Sequence, residues 1–381
     1  MTRLVTLLSG LGPRLLPLAV SLFASGLGSG SAFCGVLEAT GVDLLRRSEP
    51  ALTGIGIPVA HPEAIYTLLG VDWEVNPAAV GKPGTFFTWS SDLGSSTNYP
   101  NFLGLESSHA NTVGGLFYGA QGVAPAVEHV HAYEAEHYYS TYILSNAPLP
   151  ARIVNQSFIF ATDDQTALNQ DYDDYAVRHQ TLFVSGVGNG GAVAPPATAY
   201  NGLGIGTFDG SSSVGPTTDN RRCKPDLVAP GGFTSFSAPV VAGASALLLQ
   251  AGLRGDGGAG SEVSASDTRV LRALLINGCI KPEGWSHSNN VPLDYRYGAG
   301  LLNVYNSYLQ LRGGKHPASE TTAATLGTVF QVGTASNAVS SLAGWDLSQL
   351  LSTAIQDQAN HYLFKLAAED VPRILDRKSV V

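Results

Sequence analysis

Apolar positions along this chain alternate between two kinds of run. Short runs at 57–60, 127–133, 153–159, 182–185 and 203–206 have the length of strands. Between them, apolar residues recur at helical spacing around His109 and over 165–178, 236–251 and 266–277. Alternation of this kind predicts an α/β fold in three layers, a mostly parallel central sheet flanked by helices. The pattern after Ser235 stands apart: Ala238, Val241, Ala242, Ala244, Ala246, Leu247 and Leu248 make a helix apolar or small on nearly every side, and Pro239 fits a first turn that needs no N–H. Ser235 is thereby placed at the positive end of a buried helix. A serine before a helix is ordinarily a cap. A rigid hydroxyl there, beside unpaired backbone N–H groups and a helix dipole, is also what acyl transfer by a serine nucleophile requires.

The flanks of Ser235 decide between these readings. Lys224-Pro225-Asp226-Leu227-Val228-Ala229-Pro230-Gly231 precedes it, and Ser237-Ala238-Pro239-Val240-Val241-Ala242-Gly243 follows. At these residues the chain resembles the subtilisin-like serine peptidases, the subtilase family. The resemblance implies a subtilisin-like fold and a triad in the chain order acid, His, Ser, with an oxyanion-hole Asn between His and Ser. Glu106-Ser107-Ser108-His109-Ala110-Asn111-Thr112-Val113-Gly114-Gly115, with Gly122-Val123-Ala124-Pro125 beyond it, resembles the family's histidine helix and makes His109 the general base. Glu106-Ser107-Ser108 replaces the family's His-Gly-Thr. The apolar run 182–185 leads into Gly186-Val187-Gly188-Asn189, which resembles the family's Ala-Gly-Asn-x-Gly and makes Asn189 the oxyanion donor. Val154-Asn155-Gln156-Ser157-Phe158 resembles the strand that pairs with extended substrate, so Asn155, Ser157 and Gly186 are expected to line the substrate. Tyr297-Gly298-Ala299-Gly300-Leu301-Leu302-Asn303 resembles the closing segment, so the resemblance spans about 52–311.

The acid departs from the family. Gly54-Ile55-Gly56-Ile57-Pro58-Val59-Ala60-His61-Pro62-Glu63 resembles the strand that ends in the catalytic aspartate, but the position carries Glu63. A carboxylate there has to fix the imidazole tautomer and stabilise imidazolium, which a glutamate can do if the backbone retreats by about one C–C bond. Asp72 is the alternative; Glu63 is favoured because it ends a Gly-x-Gly-led apolar run. Glu63, together with Phe233 in place of the usual Gly before Thr-Ser, also keeps open a second function class, a catalytically weak or inactive subtilisin-like binding module.

Composition then narrows the setting. Only 13% of residues are charged, about half the usual share, which suits an exported hydrolase. Arg3 and Arg14, the apolar stretch 15–24 and the small residues before Ala32 predict a signal peptide over 1–32, hence a secreted, extracellular or periplasmic protein. A short lead, 33–51, follows. Phe33 before Cys34 argues against lipidation. Loss of Arg3 and Arg14 would take the formal charge from −9 to −11, which disfavours nucleic acid and anionic lipid as partners and leaves proteins or peptides. No later segment is expected to span a membrane. From 312 to 381 the composition shifts towards Thr, Ser, Ala and Gly, with a strand-like run at 361–366, and predicts a short β-rich extension that the chain end leaves incomplete.

The remaining motifs carry less. Gly186, Gly188 and Gly191 match a dinucleotide fingerprint, but Ala194-Pro195-Pro196 follows where a helix should start. His129 and His131 share a strand face without a metal-ligand spacing. Calcium is compatible with the oxygen-rich loop expected at 73–105, where Asp92, Asn98 and Asn101 offer donors, yet no spacing marks a site; otherwise no cofactor is implied. Cys223 and Cys279 could bridge in an oxidising compartment.

Overall fold

The computed structural model describes residues 14–17, 31–65, 71–162, 165–219, 221–288, 290–317 and 343–348. Among these the strands are β1 (Arg14–Pro17), β2 (Val59–Glu63), β3 (Asp72–Glu74), β4 (Phe87–Ser91), β5 (Gly94–Ser96), β6 (Leu105–Glu106), β7 (Val130–Glu134), β8 (Ile153–Gln156), β9 (Phe158–Ala161), β10 (Leu182–Gly186), β11 (Leu203–Thr207) and β12 (Leu227–Ala229). The helices are α1 (Ser31–Ala39), α2 (Val42–Ser48), α3 (Ser108–Phe117), α4 (Ala135–Tyr138), α5 (Gln165–His179), α6 (Thr234–Leu253), α7 (Glu262–Ala265), α8 (Thr268–Gly278) and α9 (Val304–Arg312).

The main sheet has the order β12-β11-β10-β8-β2-β7-β4-β5, and every pairing in it is parallel except the β4–β5 hairpin at the edge. This is the α/β architecture expected from the alternating runs. Side chains alternate across it with period two: Val59, Ile153, Leu182 and Val184 enter a core shared with α6, while Ala60, Val154 and Phe183 enter a second core on the opposite face with Tyr172 and Tyr175 of α5. Parallel strands buried on both faces must be apolar nearly throughout, so their runs were legible. The chain crosses from β7 to β8 on the other side of β2, which makes the carboxyl ends of β2 and β8 a topological switch point, where open α/β sheets place ligands.

α6 crosses beneath β8, β10, β11 and β12 and is buried from Thr234 to Gly252 at every residue but Phe236. Each fully buried Val or Leu of this kind contributes about 1.5–3 kcal/mol. The helix is long and apolar enough to cross a membrane, contrary to the expectation that nothing later in the chain would be, but 89% of that window is buried inside the protein, as a core helix requires. It packs on α3 through Gly243, where a Cβ would lie 2.5 Å from Val123 Cβ and 3.2 Å from the Phe117 carbonyl oxygen. Gly243→Ala is expected to destabilise by about 1–3 kcal/mol, because this clash outweighs the roughly 1 kcal/mol of added helix propensity. The measurement is the midpoint of urea unfolding, and an unchanged midpoint would mean the two helices have slack.

Several expected boundaries shift. The run 153–159 is two strands broken at Ser157, and the expected loop 73–105 contains β4, whose Phe87 and Trp89 are buried. The lead 33–51 forms most of α1 and α2, and Val42 and Leu45 join the core that also holds Val304 and Leu311 of α9. The expected signal cleavage near Ala32 falls in the first turn of α1; most of 1–32 lies outside the described residues, as does the run 361–366. Of the C-terminal extension, Trp345 packs into the main core and donates its indole N–H to the Leu311 carbonyl. The Cys223 thiol donates to the Asp294 carbonyl and the Cys279 thiol to the Leu275 carbonyl; the two form no bridge.

Candidate active site

The end of β2 delivers Glu63, which is 3% exposed and therefore a carboxylate that needs partners. Pro62 is tolerated beside it because β8 pairs with β2 only through Val59 and Ala60, so the missing N–H breaks no bond on that side. The second residue of α3 is His109, and the helix is started by Ser107, whose hydroxyl accepts the Ala110 N–H at 3.2 Å. His109 Nδ1 makes a short hydrogen bond to Glu63 Oε1, and Glu63 Oε2 lies 3.3 Å from His61 Nε2. Asp72 lies elsewhere, on β3 with Leu105 as its ladder partner.

The two ionisable groups adjust to each other. Burial alone would push the Glu63 carboxyl up, but the charge of His109 and hydrogen bonds from His109 and His61 outweigh it and hold Glu63 below the usual carboxylate range. Burial likewise works against a charged His109, and the Glu63 charge and hydrogen bond overcome it, so His109 titrates above an ordinary histidine. The other imidazole nitrogen, His109 Nε2, is buried with no hydrogen-bond partner.

Ser235 is the second residue of α6 and fully buried. Its hydroxyl has a long, 3.4 Å contact to the Ser157 carbonyl, and no hydrogen bond to His109 Nε2 is formed. Such bonds are often loose without substrate and tighten in the Michaelis complex. Pro239 is not in the first turn, where the sequence pattern puts it, but five residues inside the helix. Lacking an N–H, it leaves the Ser235 carbonyl without its usual intrahelical donor, and the Ser157 hydroxyl donates to that carbonyl instead, at 2.9 Å. Asn155 Nδ2 donates in turn to Ser157 Oγ at 3.0 Å. Gly186, the last residue of β10, lets α6 approach, since a Cβ there would lie 2.9 Å from Thr234 Oγ1. The side chains of Asn155 and Ser157, and the space at Gly186, thus form a floor behind Ser235.

Asn189 follows β10 on a turn. Its carboxamide oxygen accepts the Thr234 N–H at 2.9 Å and the Thr234 hydroxyl at 3.0 Å, capping α6 where Phe233 offers no side-chain cap. Its Nδ2 is left buried without a partner. The segment after Gly191 is a series of turns, so the glycine fingerprint opens no helix. Among the described residues no three His, Cys, Asp or Glu side chains are grouped to hold a metal ion. Asp92 Oδ1 lies 2.8 Å from His137 Nδ1, Asn98 bonds within its own turn, and Asn101 bonds both within its turn and to the Glu74 carboxylate. Sequence reading missed three neighbours of the site: His61, Tyr118, and Phe236, whose ring centroid is 5.9 Å from that of His109. The available signal was His61 itself, an unusual residue for the end of a central strand.

A parallel sheet with a buried carboxylate–imidazole pair at its switch point and a serine at the head of a core helix defines the class of α/β serine hydrolases. The sequence model of the Subtilase family matches residues 95–300, more than half of the chain, and the chain belongs to that family, whose members are serine endopeptidases. Among solved structures it is similar to the prenylagaramide maturation protease PagA, with 20% identity and a TM-score of 0.50 over 71% of this chain and 98% of that one. The patellamide maturation protease PatA matches with 22% identity and a TM-score of 0.49 over 68% of this chain and 98% of that one.

Proposed function

We propose that this peptidase is secreted and cleaves peptide bonds through Ser235, His109 and Glu63, with Asn189 in the oxyanion hole. The observation that carries the reading is that the two side-chain atoms the chemistry needs, His109 Nε2 and Asn189 Nδ2, are both buried and unpartnered, while Nδ1 and Oδ1 of the same side chains are engaged. A buried polar atom without a partner is costly and needs an explanation, and at these two atoms the proton acceptor and the oxyanion donor of the reaction supply one. Ser235 Oγ attacks the scissile carbonyl carbon as its proton passes to His109 Nε2. The oxyanion meets Asn189 Nδ2 and the Ser235 N–H, and the imidazolium then protonates the leaving amine. Water, deprotonated by the same imidazole, attacks the acyl-enzyme and releases the acid. Glu63 keeps its charge throughout and stabilises the imidazolium.

Substrate is proposed to lie extended along β9. That edge accepts an antiparallel strand from this chain itself, Arg14–Pro17, with Pro17 opposite Phe158 and Arg14 opposite Ala161. Removal of 1–32 as a signal peptide would vacate it.

Labelling with a fluorophosphonate tests the reading without knowledge of the substrate. Ser235 is expected to be the modified residue; an unlabelled but folded protein would instead favour the binding-module alternative. Asn189→Ala is expected to lower kcat about 10²–10³-fold with little change in KM, because its amide acts on the oxyanion and not on the ground-state carbonyl. A change mainly in KM would place Asn189 in a substrate pocket.

A further inference from the structure

Glu63 uses both of its oxygens, and the second goes to a residue with no assigned role. His61 is 1% exposed and lies two residues before Glu63, on the same face of β2. Its Nε2 is 3.3 Å from Glu63 Oε2, and its Nδ1 is 2.8 Å from the hydroxyl of Tyr118, which caps the C-terminus of α3 and is fully buried. Tyr118 can reach there because residue 114 is glycine; a Cβ at Gly114 would lie 2.7 Å from the Tyr118 hydroxyl. The end of β2 is therefore clamped from both ends of one helix, by His109 at its start and Tyr118 at its finish.

The protons can be assigned. Burial first, and then the charge of Glu63, push the Tyr118 phenol well above an ordinary tyrosine, so its hydroxyl keeps its proton and pairs with His61 Nδ1. A carboxylate only accepts, so His61 Nε2 carries a proton and donates it to Glu63 Oε2, while Nδ1 is held by the Tyr118 hydroxyl.

We propose that His61 is a positioning residue for the triad acid: an imidazole, held in place by Tyr118, that anchors Glu63 Oε2 so that Oε1 is aimed at His109 Nδ1. The inference rests on the Glu63–His109–Ser235 reading above. A glutamate has one more side-chain torsion than an aspartate, so its carboxylate needs an anchor that a shorter acid could do without. His61 also supplies the partner that a second buried carboxylate oxygen requires.

The test measures the rate of Ser235 modification by a fluorophosphonate against pH, for the full chain and its variants, with thermal unfolding recorded alongside. His61→Leu is expected to slow labelling about 10–100-fold and to move the acid limb upward by about half to one pH unit, since Glu63 loses a donor to its charged form. His61→Gln, whose amide N–H can occupy the place of Nε2, is expected to recover most of the rate; His61→Asn, which is too short, is not. Tyr118→Phe is expected to slow labelling several-fold. Unchanged rate and acid limb in His61→Leu, or equal recovery by Asn and Gln, would overturn the proposal, and the Gln–Asn comparison serves if the leucine variant does not fold. Glu63→Gln runs in parallel: if it labels like the wild type, the triad reading itself has failed, a result distinct from failure at His61.

Discussion

Ser235→Ala is expected to abolish peptide hydrolysis, lowering kcat on the order of 10⁶-fold, the loss seen when the nucleophile is removed from a related serine peptidase. Stability should change little, because the hydroxyl's one hydrogen bond is the 3.4 Å contact to the Ser157 carbonyl, while the bond that anchors this turn of α6 comes from Ser157 Oγ to the Ser235 backbone and survives the substitution. Folding and catalysis are therefore separable at this position. The measurement pairs turnover of a peptide-library substrate with fluorophosphonate labelling and mass-spectrometric mapping. Label that persists at another serine in the variant would remove Ser235 from the mechanism.

Glu63→Gln is expected to cost about 10⁴-fold in kcat, by analogy with the amide replacement of the acid in a Ser-His-Asp enzyme, because an amide can hold the wrong imidazole tautomer. The pH profile gives a second readout. In the native protein burial disfavours the charged His109, and the Glu63 charge and hydrogen bond more than reverse this, so His109 loses its proton above the ordinary histidine range. Once the Glu63→Gln substitution removes that charge, the burial effect is unopposed, and the acid limb of the residual activity should move to lower pH. Asp72→Asn should do far less, as Asp72 pairs along β3 with Leu105 and not with His109. Near-native turnover in Glu63→Gln, with loss in Asp72→Asn, would require the triad to be redrawn. Glu63→Asp sharpens the point: on a backbone set for glutamate the carboxylate falls short of Nδ1 by about one C–C bond, and activity should drop.

The sheet and its large helices were legible because their signals are local. Strands buried on both faces are apolar over most of their length, with the polar residues of β2 and β8 confined to the ends that carry the site, and α5, α6 and α8 follow their periodic stretches to within about two residues. β4 was not legible: its Phe-Thr-Trp run sits in a Gly-, Ser- and Asn-rich segment, and it is a strand because β7 offers it a parallel edge. The same holds for α1 and α2, short helices stabilised by packing, α1 on α2 and α2 on α9 near the far end of the chain.

At the site, the sequence determined which residues could do the chemistry. The order of Glu63, His109, Asn189 and Ser235, with their flanks, was enough to name the candidates and to favour Glu63 over Asp72. Tertiary structure decided how each atom is used. Pro239 acts through the hydrogen bond it cannot make, which frees the Ser235 carbonyl for Ser157, and Asn189 spends its oxygen on the head of α6 so that its nitrogen is left over. Tyr118 meets His61, and through it Glu63, across a separation of 57 residues. No local pattern records such a meeting, because hydrogen-bond partners in a folded core are chosen by distance in space, and sequence separation sets only the entropy of bringing them together.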